Sequence, residues 1–141
     1  MKMLVLDANI LMRAVLGKHA RGLLKTYGEL IEFVAPDVAF DEARRRLPQV
    51  IERRKLQEEL FMTFFDSLAN VVRTVEFEVY SGFEVIARER LARRDEDDWP
   101  ILAAALALRC PIWTEDTDFF GCGVATWTSD RVEMYLSEVA S

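Results

Sequence analysis

Short apolar runs recur along this chain, and stretches with helical spacing separate them. The runs fall at residues 3–6, 32–35, 71–75, 111–114 and 124–127. Each is too short for a helix, and the first carries no polar residue, as a strand buried on both faces requires. Residues 9–16 are helical in pattern up to Gly17, and 19–30 follow with Gly28 as a break. From Asp37 the spacing is helical again as far as Leu47, and Pro48 is expected to open a new helix reaching about residue 69. Further helices are expected at 78–94, at 99–109 with Pro100 in the first turn, and at 131–139. Strands spaced by helices in this rhythm predict βαβ units. The expected fold is an α/β, three-layer α/β/α sandwich around a central parallel sheet of four to five strands.

With 141 residues, the chain is expected to form one domain over 1–141. It is 51% hydrophobic and 30% charged, the composition of a globular protein rather than a disordered one. The apolar run after Lys2 stops at Asp7, too short for a signal peptide, and no stretch of eighteen apolar residues follows. A cytoplasmic protein without a membrane partner is therefore expected. Cys110 and Cys122 lie far apart and His19 is the single histidine, so a Cys/His zinc site lacks ligands.

A net charge of −6 argues against a protein that coats nucleic acid, though not against an enzyme that handles one phosphate through metal ions. The acids collect at 95–98 and 115–118, the bases at 44–46, 53–55 and 93–94. In a parallel α/β sheet, ligands bind beyond the carboxyl ends of the strands. Asp7 follows the first strand and Asp116 follows the fourth. Glu42 lies early in the helix that leaves the second strand. Asp98 opens the helix that precedes the fourth strand, and that helix runs antiparallel to the strands, so its start returns to the same edge. Four acids distant in sequence are thus expected at one end of one sheet.

Two carboxylates about 4 Å apart repel by roughly 4 kcal/mol at an effective dielectric near 20. Such a cluster needs protons or a divalent cation. Oxygen ligands without histidine or cysteine favour Mg²⁺ or Mn²⁺, and phosphodiester hydrolysis is the natural chemistry of that arrangement. Asp98 also suits a helix N-cap, and Asp116 and Asp118 also suit an acidic turn. A haloacid-dehalogenase-type phosphatase needs a second aspartate two residues after the first, where this chain has Asn9.

Four blocks, in order, resemble the PIN-domain family, and within it the VapC-like toxin ribonucleases. They are Leu4-Val5-Leu6-Asp7-Ala8-Asn9-Ile10, Ala35-Pro36-Asp37-Val38 followed by Glu42, Asp97-Asp98-Trp99-Pro100-Ile101-Leu102-Ala103-Ala104-Ala105, and Trp113-Thr114-Glu115-Asp116-Thr117-Asp118-Phe119. The resemblance implies the three-layer fold and Mg²⁺- or Mn²⁺-dependent cleavage of RNA. It makes Asp7, Glu42, Asp98 and Asp116 the acidic quartet that binds metal, with Asn9 and Thr114 orienting it and Asp118 at the rim. Asp97 is the neighbouring candidate for the place given to Asp98. The resemblance also implies a homodimer and inhibition by an antitoxin. Other family members process RNA with no antitoxin, and a non-catalytic PIN-like module would bind RNA or protein without cutting. From the residues themselves, Arg44, Arg45 and Arg46, within a turn of Glu42, are candidates for steering a phosphate backbone toward the acids.

Overall fold

A computed structural model describes residues 1–140 of the chain. Five parallel strands form the sheet: β1 (Lys2–Leu6), β2 (Ile31–Pro36), β3 (Val72–Val75), β4 (Ile112–Trp113) and β5 (Thr126–Trp127), in the order β3-β2-β1-β4-β5. Leu4, Val5 and Leu6 of the central strand are fully buried, as are Phe33, Val34 and Ala35 of β2. Continuous burial of this kind follows from helices covering both faces.

The connections carry α1 (Ala8–Leu16) and α2 (Lys18–Tyr27), then α3 (Asp37–Arg53) and α4 (Glu58–Ser67), then α5 (Phe77–Tyr80), α6 (Glu84–Arg90) and α7 (Trp99–Leu108). The final helix is α8 (Val132–Ala140). The first two crossovers step in one direction along the sheet and the third steps back past β1. Right-handed connection then places α1–α4 on one face and α5–α7 on the other. The expected three-layer α/β/α fold is the one observed.

Helix α7 is apolar on all sides, and every residue from Trp99 to Ala105 is buried. It packs on β1, β2 and β4 and is closed at Arg109, which adopts a left-handed conformation (φ 56°). On the opposite face, α1 contacts α2, α3 and α4.

Two helix boundaries differ from expectation. Pro48 does not start a helix; it lies inside α3, which continues to Arg53. Ala39, Ala43, Leu47 and Ile51 form one buried stripe at four-residue spacing across the proline. The missing amide removes the bond to the carbonyl of Arg44, a residue on the exposed side where water can serve. The break falls instead at Lys55, in a left-handed conformation (φ 56°), where the Leu56 amide donates to the Ile51 carbonyl at 3.0 Å. The single helix expected over 78–94 is likewise divided, by a 3-10 turn at Ser81–Phe83 around Gly82, the residue with the weakest helix preference there.

The order β3-β2-β1-β4-β5 reverses direction at β1. The crevice between the carboxyl ends of β1 and β4 is therefore the topological switch point, where open α/β sheets bind ligands.

Candidate active site

Strand register brings the first two polar residues together. Leu6 pairs with Trp113, so Asp7 and Thr114 leave adjacent strands side by side. Thr114 is fully buried, and its hydroxyl donates to Asp7 Oδ2 in a short hydrogen bond. Asp7 Oδ1 accepts from the Ile10 amide at 2.9 Å and caps α1. The Thr114 hydroxyl oxygen also accepts from the Asp116 amide at 2.9 Å. Asp116 Oδ1 in turn accepts from the Asp118 amide at 2.9 Å and closes the 3-10 turn Thr117–Phe119. Asp116 thus closes a turn and also lines the acidic cavity. One threonine fixes the carboxylate after β1 and the backbone after β4.

Asp98 precedes α7 without capping it, since its side chain accepts no bond from the helix. The nearby cap belongs to Asp95, which accepts from the Asp97 amide at 3.0 Å. Asp98 is half-buried while Asp97 is exposed. Glu42, in the second turn of α3, accepts from Arg46 at 3.0 Å, and the same guanidinium nitrogen donates to Asn9 Oδ1 at 3.1 Å.

Asp7, Glu42, Asp98 and Asp116 line one cavity of about 270 Å³, and Asn9 and Asp97 share its lining. Carboxylate oxygens of Asp98, Asp116 and Asp118 approach one another to within 4.8 Å. Asp118, expected at the rim, therefore sits beside two of the quartet.

Burial and neighbouring charge act in one direction here. Burial pushes the Asp7 carboxyl up to about 6, against its hydrogen bonds to Thr114 and Ile10, and Asp116 and Glu42 add repulsion. Asp98 is pushed up to about 7, by burial first and then by the charges of Asp95, Asp116, Glu42 and Asp7. The donor set is entirely hard oxygen, and the mutual repulsion of its carboxylates is what a bound cation would relieve. Asp98, Asp116 and Asp118, whose oxygens can converge on one ion, fit a divalent cation of the Mg²⁺ or Mn²⁺ kind, and Asp7 and Glu42 line the same cavity outside that group.

The expected supporting residues divide. Thr114 bonds to the acids directly. Asn9 is exposed, and its side-chain partner is Arg46 rather than a carboxylate. Of the three arginines, Arg46 reaches the site. Arg44 lies over the Phe65 ring, 4.9 Å from its centroid, and faces Asp66 at 3.6 Å. Arg45 is exposed and does not line the acidic cavity.

Sequence reasoning missed the cavity's aromatic wall and the clasp behind its loop. Tyr80, Trp99 and Phe77 pack edge to face or tilted beside the acids, and the Tyr80 hydroxyl donates to Asp37 at 2.5 Å. The Arg94 guanidinium donates to the carbonyls of Thr117, Asp118 and Phe120 and so holds the turn that carries Asp116 and Asp118. Aromatic spacing around Tyr80 was a usable signal; Arg94 stood out only within the basic pair 93–94, which gives no hint of the loop it holds.

The PIN-domain family model matches residues 5–137. The chain belongs to the PIN-domain family. This is a family of nucleases that use divalent metals. Several solved structures share the fold. VapBC2 from Rickettsia felis, bound to a promoter DNA fragment, is 14% identical with a TM-score of 0.68, over 89% of this chain and 98% of that one. PAE2754 from Pyrobaculum aerophilum is 16% identical with a TM-score of 0.70, over 99% and 90%. A toxin–antitoxin complex from Klebsiella pneumoniae is 18% identical with a TM-score of 0.59, over 89% and 96%. No curated protein matches the sequence. Among the described residues, no helix is long and apolar enough to cross a membrane.

Proposed function

We propose that this PIN-domain protein is a divalent-metal-dependent ribonuclease, and that it is the toxin of a toxin–antitoxin pair. The observation that carries the nuclease reading is the meeting of Asp7, Glu42, Asp98 and Asp116 in one cavity at the switch point, with the Asp7 and Asp98 carboxyls raised toward neutrality. Asp7, Asp98 and Asp116 would hold the cation, with Glu42 completing the set and Asp118 adjoining it. Bound Mg²⁺ or Mn²⁺ supplies positive charge for a phosphodiester and makes water acidic enough to serve as nucleophile near neutral pH.

The chain's own residues supply order. Thr114 holds Asp7 and the Asp116 backbone in fixed relation. Arg94 keeps the Asp116–Asp118 turn in place from behind. Arg46 spans Asn9 and Glu42 at the mouth, where a phosphate oxygen could replace Glu42 as its partner.

RNA cleavage by purified protein in Mn²⁺ or Mg²⁺ is the test, with EDTA, Asp7→Asn and Asp98→Asn as controls. The proposal expects cleavage in the wild type alone and loss in all three controls. Activity that survives both substitutions overturns it.

The toxin reading draws support from the similar structure described as a toxin–antitoxin complex and from the similarity to VapBC2. An antitoxin would be the protein partner, and the toxin would act as a homodimer. Expressed alone in a bacterium, the wild type should arrest growth and Asp7→Asn should not. Unaffected growth with active nuclease would move the assignment to an RNA-processing enzyme. Light scattering checks the dimer, and a monomeric mass contradicts it.

A further inference from the structure

Asn9 lines two cavities of opposite character. The first is the acidic one. The second, of about 590 Å³, extends from Asn9 along α1 to the start of α2 and the end of α3, and its ionisable lining is Arg13, Lys18, His19, Arg54 and Glu115. Glu115 is already engaged, accepting from the Ser129 amide at 2.6 Å. The His19 ring donates from Nε2 to the Ser129 carbonyl at 3.0 Å. The side chains of Arg13, Lys18 and Arg54 are exposed and have no ion pair or hydrogen bond among the described residues.

Cations elsewhere divide: the side chains of Lys25, Arg45, Arg53, Lys55, Arg93, Arg109 and Arg131 are likewise without an ion pair or hydrogen bond among the described residues but do not gather at one cavity, and the others are committed. Arg21 bonds to carbonyls at the end of α1, Arg73 to Glu32, Arg88 to Glu84, and Arg90 to the Cys122 carbonyl. Leaving three free cations around one concavity, in a chain of net charge −6, favours an anion that enters from outside. Position adds direction. Arg13 stands about one turn beyond Asn9 on α1, roughly 6 Å along the axis, and Lys18 follows just past the helix end. The cations therefore lead away from the acids rather than surround them.

The geometry points to a track for the phosphates of single-stranded RNA, which passes from the acidic cavity over Asn9 and along α1 against Arg13, Lys18 and Arg54. The inference rests on the nuclease reading and adds the path of the substrate to it. Cations at a concavity contact phosphates without reading bases, so they set affinity and register rather than sequence preference. Single-stranded RNA is the occupant proposed, and an RNA duplex is the competing occupant that the test includes.

The test is the salt dependence of binding by a short labelled single-stranded RNA, measured in the Asp98→Asn background to prevent cutting. The variant combines Arg13→Gln, Lys18→Gln and Arg54→Gln. A charge-matched control combines Lys25→Gln, Arg109→Gln and Arg131→Gln, all outside the groove. Each phosphate contact contributes about 0.7 to the slope of log K against log salt for a single strand. The groove variant should flatten the slope by about 2 and weaken binding at least about tenfold in low salt, while the control keeps the parental slope. Thermal midpoints verify that both are folded; if the triple is not, each single substitution should flatten the slope by about 0.7.

An unchanged slope, or equal effects of groove and control variants, overturns the track. Equal loss for an RNA duplex overturns the single-strand assignment. Parallel cleavage assays without Asp98→Asn separate the two readings. Cleavage that is intact and indifferent to the groove variant removes the track alone, whereas a wild type that binds through the groove but never cuts removes the nuclease reading alone.

Discussion

The acids that leave the strands and those carried by the helices are held in different ways. Asp7 is 6% exposed and both its oxygens accept hydrogen bonds, from a buried threonine and from a helix amide. Asp116 is tied through its backbone to the same threonine and through its carboxylate to the following turn. On the helix side, Asp98 makes no capping bond, and Glu42 is held by an exposed ion pair to Arg46. The strand acids are placed by register and backbone, so their geometry is set by folding. The helix acids have fewer ties: Asp98 accepts no bond from its helix and the charges around it repel, while Glu42 has one exposed ion pair, so both are expected to adjust when a cation or phosphate arrives. A site built this way has a rigid half and an adaptable half.

The largest expected effect comes from the rigid half. Asp7→Asn should lower RNA cleavage by more than about 100-fold, beyond what loss of a supporting residue around a metal costs. Glu42→Gln should cost less, and steady-state rates at saturating Mn²⁺ compare the two. Equal losses would erase the distinction between the halves.

Thr114→Val comes next, because one hydroxyl serves two acids. It should reduce activity about 10- to 100-fold and stability by about 1–3 kcal/mol, since a buried carboxylate oxygen and an amide lose their partner. Denaturant melts with cleavage rates check both. Thr114→Ser should restore most of the activity, which a purely steric role for the side chain would not allow.

The protonation of Asp7 gives a third test. Its carboxyl titrates near 6 in the folded chain, above the ordinary value of 3.8, so the folded state holds the proton more tightly than the unfolded state. Its contribution to metal-free stability is therefore retained below about pH 4 and lost as pH rises through 6. In EDTA at pH 8, Asp7→Asn should be more stable than the wild type by about 2–3 kcal/mol, and at pH 4 the two should be nearly equal. Added Mn²⁺ should stabilise only the wild type at pH 8 to a large degree. Melts at the two pH values decide this; a substituted protein that is less stable at pH 8 would contradict the burial account.

The smallest effect belongs to Arg46. Arg46→Gln should tighten Mn²⁺ binding a few-fold, because an exposed ion pair contributes only about 0–1 kcal/mol and its removal frees Glu42 for the cation. Calorimetry checks the direction, and weaker Mn²⁺ binding would show that Arg46 positions Glu42 rather than competing for it.

Much of the fold was legible because buried parallel strands are continuous apolar runs and their helices are punctuated by Gly17 and Pro100. The convergence of the four acids followed from chain direction alone. What escaped depended on which side of an element faces the interior. Pro48 reads as a helix start unless the stripe Ala39, Ala43, Leu47 and Ile51 is seen to cross it. Arg44 and Arg46 are indistinguishable in sequence, yet two positions on a helix turn one toward Phe65 and the other toward Glu42. Arg94 and the free cations Arg13, Lys18 and Arg54 gain meaning only from loops and helices brought beside them by the fold. Asn9 illustrates the same limit: its place was legible, but its partner Arg46 was not.

The central claim is that the rigid and adaptable halves share one divalent cation. The most direct measurement is anomalous diffraction from crystals soaked in Mn²⁺. The account predicts a peak between Asp7, Asp98 and Asp116, with carboxylate oxygens at about 2.0–2.6 Å, the range of hard divalent cations. Crystals that show no peak there at saturating Mn²⁺, or acids splayed apart without a shared cavity, would contradict it.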